Sequence, residues 1–462
     1  MADARLETVL TRLEANGAKH LEALKAFVAI PSVSTDPEHS SDVRRAVNWV
    51  ADQLRTVPSI EVSVEETGGH PAVVGAWGNN PNRPTVLIYG HADVQPADPL
   101  EAWSTPPFEL TERNGRWYAR GISDDKASML IPILVAQAYA EAGEEPPLNL
   151  RFLFEAEEEV GSPNLSTLVA QRRAALACDV VLSADGGMWR AERPCLTISA
   201  RGLAGLEITV RGAKKDLHSG RHGGGVVNPL HVMAELIASL HDEGRVAVAG
   251  FYEGIVGPSQ ELLEATEALG FDDAAYEAAV GAVTFGEPGF GTLARQWYRP
   301  TLEVNGLWGG YQGPGSKTVI PSEAHAKITC RLVPGQDPAT VAAKVIAHLE
   351  RNLPPQASLE VRHGDHSAEA YGVAPDHPAL TAAAEVLQEI FKTSVDVVGM
   401  GGSIPICSTF LEELGADTIF FSFSTADEDI HAPNEFYRPE RFRAGLEAWA
   451  RLWWRLGSLE AR

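Results

Sequence analysis

Basic residues are scarce in this chain of 462 residues: 38 Lys and Arg face 62 Asp and Glu, a formal net charge of −24. That imbalance repels phosphate backbones and anionic lipid, which excludes nucleic acid and membrane surfaces as partners. Cysteine is scarcer still. Cys178, Cys195, Cys330 and Cys407 stand singly, with no C-x-x-C spacing. They argue against a disulfide framework or a cysteine zinc site, and for reduced thiols in the cytoplasm. No apolar run approaches the ~20 residues of a membrane span. The opening stretch "MADARLETVLTRLEANGAKHLEALKAFVAI" carries early acids and amphipathic helical spacing, in place of the basic start and apolar centre of a secretory leader. What is present is an ordinary globular composition, 44% hydrophobic, on a chain too long for one core. Two domains are expected.

Up to about residue 200, short apolar strands alternate with helical stretches, as in an α/β sheet: "TVLIY" at 85–89, "LNLRFLF" at 148–154 and "DVVLSA" at 179–184, with helical spacing at 126–143. From 203 the texture changes to period-two alternation in "LAGLEITVRG", a helix at 229–244 and another strand in "AHAKITCRLVP" at 324–334. Residues 286–316, rich in Gly, Pro and aromatics, read as loops. After 370 helix–strand alternation resumes, with "TIFFSFS" at 418–424 and a closing amphipathic helix at about 438–456. The expectation is an α/β domain formed by 1–202 and 369–462, interrupted by a smaller α+β domain at 203–368.

Polar groups sit at the same end of several of these strands. "TVLIY" leads into His91 and Asp93, "LNLRFLF" into Glu155, Glu157, Glu158 and Glu159, "DVVLSA" into Asp185, and "TIFFSFS" through an acidic loop into His431; Asp124 stands just before a helix in "GISDDKASML". In a parallel sheet those ends share the carboxyl edge, where open α/β folds bind ligands. Taken singly, each has a plainer explanation as a cap or solvated turn. Together, two histidines and at least three carboxylates make a ligand set for Zn²⁺ or Mn²⁺. The excess of acids suits a pair of ions, which need a bridging carboxylate and a terminal histidine each, with His91 and His431 at the two ends. Asp93, two residues past His91, is placed to take the second ring N–H and fix the tautomer. An unligated carboxylate beside the ions can move a proton, and Glu158 is the candidate.

The motifs "GHADVQP", "ARGISDDK", "EAEEEVGSPN", "SADGGMW", "DLHSGRHGG", "RLVPGQDP", "GGSIPI" and "HAPNE", in this order, resemble the co-catalytic zinc peptidases that include the carnosinases and other cytosolic dipeptidases, glutamate carboxypeptidase, and the deacylases of acetylornithine and succinyl-diaminopimelate. The similarity runs from about residue 20 to 445 and leans to the dipeptidase branch. It implies a three-layer α/β/α catalytic domain of zinc-peptidase type with a mixed sheet, and an inserted two-layer α+β lid that also dimerises. It implies two divalent ions per subunit, zinc first and manganese or cobalt next. Asp124 then matches the bridging ligand, His91 and Asp185 the ligands of one metal, and Glu159 and His431 those of the other. Glu158 matches the general base, Asp93 the acid that orients His91, and His218 in "DLHSG" the lid histidine that stabilises the oxyanion.

Substrate residues follow. The glycine loop at 401–414 opens a helix with Pro405 near its first turn, so backbone N–H groups around Gly402 and Ser403 can receive a carboxylate. Arg331 in "TCRLVPG" resembles the family arginine that pairs with the substrate's C-terminal carboxylate. Asn305, Lys317 and Thr318 lie in matching motifs. Where relatives often carry Arg-Glu before the paired glycines, this chain reads "VVGMGGS", so recognition of the substrate's amino end is left open. The expected activity is a cytoplasmic dipeptidase that releases a C-terminal amino acid from a small peptide through a metal-bridged hydroxide. An N-acyl amino acid deacylase with the same site is the alternative; a binding protein has no need of an unligated Glu158.

Overall fold

The computed structural model of the chain describes residues 4–364 and 367–459. Two compact units emerge: Met1–Ile198 with Val373–Val398 and Thr409–Arg462, and Ser199–Gly372 with Gly399–Ser408.

The first unit is built on a six-stranded mixed sheet in the order Ile60–Glu65, Ala72–Trp77, Asn149–Glu155, Thr85–His91, Val180–Ser183 and Thr418–Phe420. The first three strands pair antiparallel, and the last four run parallel. Strand Thr85–His91 is buried almost throughout, as its unbroken apolar run requires. Helix Ala127–Glu141 packs on it and is buried from Ala127 to Tyr139, with the closing helix Pro439–Leu456 against it. Its apolar residues are too many for one stripe, which fits a helix covered on all sides. Helix Ser40–Arg55 buries Val43, Val47, Val50 and Leu54 at helical spacing. The opening amphipathic stretch forms two helices, Ala4–Ala15 and Gly17–Val28, divided at Asn16. The buried Lys126 amine donates to the carbonyls of Phe27 (3.1 Å) and Ile30 (2.6 Å) at the end of the second of these helices. Each carbonyl also accepts a backbone N–H, from Ile30 (3.2 Å) and Ser32 (2.9 Å), so the lysine adds a second bond to each and ties the turn that precedes it to the end of helix Gly17–Val28.

The second unit holds a four-stranded antiparallel sheet in the order Thr301–Gly309, Glu323–Leu332, Gly202–Arg211 and Ser358–His363. Burial alternates residue by residue along Gly202–Arg211, and helices Pro229–Ala238 and Pro338–Asn352 pack on the sheet. Leu206, Ile208, Ile328, Val345 and Leu349 belong to that core.

Two expectations are corrected. Residues 286–316 are not all loop: they contain helix Thr292–Tyr298 and strand Thr301–Gly309. A register break between Val304 and Gly306 interrupts the strand's period, which hid it among the glycines. Gly399–Ser408, expected with the resumed first domain, groups with the second unit. There the Arg201 N–H donates to the carbonyls of Met400 (3.3 Å) and Gly402 (3.0 Å), and its Nε donates to Gly401 O at 2.9 Å. A Cβ on Gly399 would lie 2.7 Å from Trp297 and Tyr298, so only glycine fits that approach. Among the described residues no helix is long and apolar enough to cross a membrane.

Candidate metal centre and active site

The site in the first unit grows from the carboxyl ends of the parallel strands. His91 closes strand Thr85–His91 and is fully buried. The chain reaches it through Gly90, where a Cβ would lie 2.8 Å from both the Asp125 carboxylate and Met129. Its Nδ1 faces the Asp93 backbone carbonyl at 3.1 Å and the Asp93 carboxylate at 3.4 Å. A proton on Nδ1 therefore has an acceptor, which leaves the Nε2 lone pair for a ligand. The Asp93 carboxylate is also an anchor: it accepts from Ser34 Oγ (2.7 Å) and from the N–H groups of Glu159 (3.1 Å) and Glu158 (3.3 Å). The same acid thus joins the histidine strand to the acidic loop.

Asp124 lies in the turn Ile122–Lys126, entered through Gly121 at φ 75°. Asp124 itself departs from helical geometry at φ −118°, ψ 92°, and its peptide bond to Asp125 is cis. Its two oxygens face two different histidines: Oδ1 is 3.0 Å from His91 Nε2, and Oδ2 is 2.9 Å from His431 Nε2. Glu159 Oε2 lies 3.2 Å from the same His431 nitrogen and accepts from Gln95 Nε2 at 2.8 Å. Asp185 follows strand Val180–Ser183. One ligand atom each from His91, Asp124 and Asp185, and likewise from Asp124, Glu159 and His431, lies within 4.8 Å of the others. Asp124 is common to both groups.

Electrostatics show the cluster sharing protons. Asp124 and Glu159 push His431 up to about 10. Burial opposes a charged His91, but Asp124 and Asp93 outweigh it and hold that ring well above the usual histidine range. Burial would raise Asp124, yet the two histidines hold it below the usual carboxylate range. Burial, with acids nearby, pushes Asp185 up to about 6 and Glu158 up to about 9. Too many carboxylates for the available protons is what a cation site presents when ligand protons stand in for the ion.

The four acids after Phe154 divide. Glu155 accepts from Tyr89 Oη (2.7 Å) and Ser162 Oγ (2.8 Å), and Glu157 accepts from the His70 N–H (3.0 Å) and the Asn164 amide (2.9 Å). These two hold the loop. Glu159 joins a ligand group, whereas Glu158, half-buried, belongs to neither.

In the second unit, His218 is exposed on a two-residue strand, Leu217–His218, paired with Val319–Ile320. Its Nδ1 accepts the Gly220 N–H at 3.0 Å. Lys317 and Thr318 adjoin that pairing, and Thr318 O accepts from the Ser219 N–H at 3.0 Å. Asn305 is exposed at the register break in its strand. Arg331 Nη1 donates to Ser403 Oγ at 2.9 Å, beside Gly402. The structure thus groups His218 with Lys317 and Thr318, and Arg331 with Ser403, and leaves Asn305 by itself.

Sequence reading missed three residues. Gln95 holds Glu159. Arg201 lies near Arg331, and burial together with that charge lowers its pKa to about 10. Glu435, inside the "HAPNE" motif, is fully buried beneath the Asp124 turn. Only its place in a motif could have flagged it.

Comparison with known proteins follows the same lines. Residues 87–455 match peptidase family M20/M25/M40. The chain is 31% identical over 454 residues to the Cys-Gly metallodipeptidase DUG1 of Candida albicans, covering 93% of each chain. It is 29% identical over 457 residues to the Beta-Ala-His dipeptidase of Homo sapiens, covering 94% of this chain and 89% of that one. The solved structure of an M20 family metallo-carboxypeptidase, Sso-CP2 from Sulfolobus solfataricus, is 28% identical, with a TM-score of 0.81 over 95% of this chain and 99% of its own.

Proposed function

The chain belongs to peptidase family M20/M25/M40 and is a metallopeptidase, and on that premise we propose a dipeptidase working with two divalent ions, zinc first and manganese or cobalt next. The observation that carries this reading is the Asp124 carboxylate, each oxygen facing the Nε2 of a different histidine, at 3.0 and 2.9 Å. The donor set fits the ions. It is all imidazole nitrogen and carboxylate oxygen, the chemistry of borderline and hard cations, and it forms two groups with one shared member. His91 and Asp185 would hold one ion, Glu159 and His431 the other, with Asp124 between. Bound there, the pair supplies Lewis acidity, lowering the pKa of a water and polarising the amide carbonyl.

The chain's own residues do the rest. Glu158, outside both ligand groups, takes the proton from the attacking water and returns it to the leaving amine. His218 stabilises the oxyanion. Its Nδ1 is occupied as an acceptor from Gly220, so the neutral ring carries its proton on Nε2, ready to donate. Arg331, with Ser403 and Gly402 beside it, receives the C-terminal carboxylate of the peptide, and Asn305, Lys317 and Thr318 contribute to substrate binding. The first unit is read as a three-layer α/β/α catalytic domain and the second as a two-layer lid through which two copies pair. Its strand Thr301–Gly309 is a sheet edge that carries an exposed Leu307, which supports the pairing. The four cysteines stand outside any disulfide, which supports a cytoplasmic setting.

One assay panel tests the proposal: Cys-Gly, β-Ala-His and other dipeptides beside N-acetyl amino acids, with metal content measured and Glu158→Gln as control. Dipeptide hydrolysis with two ions per chain is expected. Cleavage of acyl substrates alone overturns the dipeptidase reading in favour of a deacylase, and one ion per chain at saturation removes the bridging role of Asp124.

A further inference from the structure

Among the described residues Glu435 belongs to neither ligand group, yet its carboxylate accepts four hydrogen bonds. Its Oε1 accepts from the N–H groups of Ser123 (2.8 Å) and Asp124 (3.2 Å). Its Oε2 accepts from the Gly121 N–H (2.8 Å) and from Arg120 Nη1 (2.7 Å). Three of those donors are backbone groups of the turn that sets Asp124 in its non-helical conformation. The fourth is a buried guanidinium that balances the charge. The return contact comes from the turn's other side, where the Ala119 N–H donates to Glu435 O at 3.2 Å. Glu435 also stands four residues after His431, on the segment that delivers that histidine to Asp124 Oδ2.

From this geometry we propose that Glu435 is a positioning residue for the metal pair: its carboxylate is the template on which the Asp124 turn folds, and it registers the shared ligand against His431. One short segment thereby fixes both the shared ligand and a terminal one. Because Asp124 belongs to both ligand groups, disturbing Glu435 weakens both metal positions, not only the one that His431 serves. The inference rests on the dinuclear reading given above.

The variant Glu435→Gln has the same shape but presents an amide N–H₂ where the carboxylate only accepts. Whichever end the amide takes, donors oppose donors at one oxygen site, and two of the four bonds are lost in a dry interior. The comparison variant is Glu428→Gln. Glu428 is equally buried and accepts from Ser123 Oγ (2.6 Å), the Thr425 N–H (3.1 Å) and Arg438 Nη1 (3.1 Å), but touches no backbone donor of the Asp124 turn.

Zinc affinity of both positions is read by competition with a chromophoric chelator, and ligand geometry by the visible spectrum of the cobalt-loaded protein. Glu435→Gln is expected to weaken both positions at least ~10-fold and to shift the cobalt bands. Glu428→Gln is expected to lower the melting temperature while holding zinc within about threefold of the original chain. If Glu435→Gln fails to fold, Glu435→Asp carries the test, since it keeps the charge for Arg120 and withdraws the acceptors by one methylene. Unchanged affinity, a loss matched by Glu428→Gln, or a loss confined to one position each overturn the inference and leave the dinuclear reading standing. A wild-type chain that fails to take up two ions overturns that reading, and the inference with it.

Discussion

The two units carry their candidate residues in opposite ways. In the first, His91, Asp93 and Glu435 are fully buried and the Glu159 side chain nearly so, with His431 the exposed exception. His91, Asp93 and Glu435 are each held by bonds to backbone groups. In the second, His218, Lys317, Thr318 and Asn305 are exposed, and Arg331 is half-buried. Buried charge is costly unless every lone pair finds a partner, so the first arrangement places rigidity ahead of adaptability. Exposed groups keep their solvation until a substrate arrives. Substitutions in the first unit should therefore reach metal content and stability, whereas those in the second should reach catalysis and binding while leaving the fold intact.

The largest expected effect is at Glu158, which lies at the boundary between the two behaviours because it is half-buried and, among the described residues, belongs to neither ligand group. Glu158→Gln is expected to lower kcat by about 10²–10⁴-fold, the range for losing a general base, with two ions still bound. Metal loss in parallel with the rate would place Glu158 among the ligands and break the distinction. Next is His218→Asn. Asparagine retains an acceptor for the Gly220 N–H and so preserves the helix start at Ser219, but offers no donor where Nε2 stands. A fall in kcat of about 10²–10³-fold is expected, with a melting temperature unchanged from the original chain. A matching loss of thermal stability would show that the histidine is structural. Arg331→Met should come third, raising KM by roughly tenfold to a hundredfold for substrates with a free C-terminal carboxylate and not for their amides. An equal effect on amides would remove the carboxylate from its role.

The same contrast explains how far the sequence could be read. His91, Glu159 and Asp185 each stand just after an apolar run, and a strand end is a place that periodicity can locate. The mixed α/β fold was legible for the same reason. Glu435 was not, because its partners are backbone N–H groups more than 300 residues earlier in the chain, and a backbone donor has no side-chain signature. Neither was the register break at Asn305, which turns an ordinary edge strand into a glycine-rich stretch without period. Arg201 stands between strands Cys195–Ala200 and Gly202–Arg211, where a lone arginine suggests solvent; only the fold brings it to the 400–402 carbonyls. What the sequence hides is thus mainly what one element does to another element's backbone.

The smallest effect sharpens the comparison most, because it separates the first unit's charge cluster from the ions it would hold. In the metal-free chain, His431 is raised to about 10 by Asp124 and Glu159, and burial raises Glu158 to about 9 and Asp185 to about 6. All three folded-state values lie above those of the unfolded chain, near 6.5 for histidine and 4 for carboxyls. At these three groups the folded chain therefore binds more protons than the unfolded one between about pH 4 and pH 10. Stability from these groups is present below that window and is lost as pH rises through it. Chelator-treated protein should melt ~3–6 °C lower at about pH 9 than at about pH 6. In the metal-loaded chain the ions take the place of those protons, and their binding tightens as the ligands deprotonate. Its melting temperature should hold or rise over the same interval. Melting curves of both forms across the window decide the matter: parallel slopes would mean that these acids and histidines titrate independently of any ion, and would detach the buried cluster from metal binding.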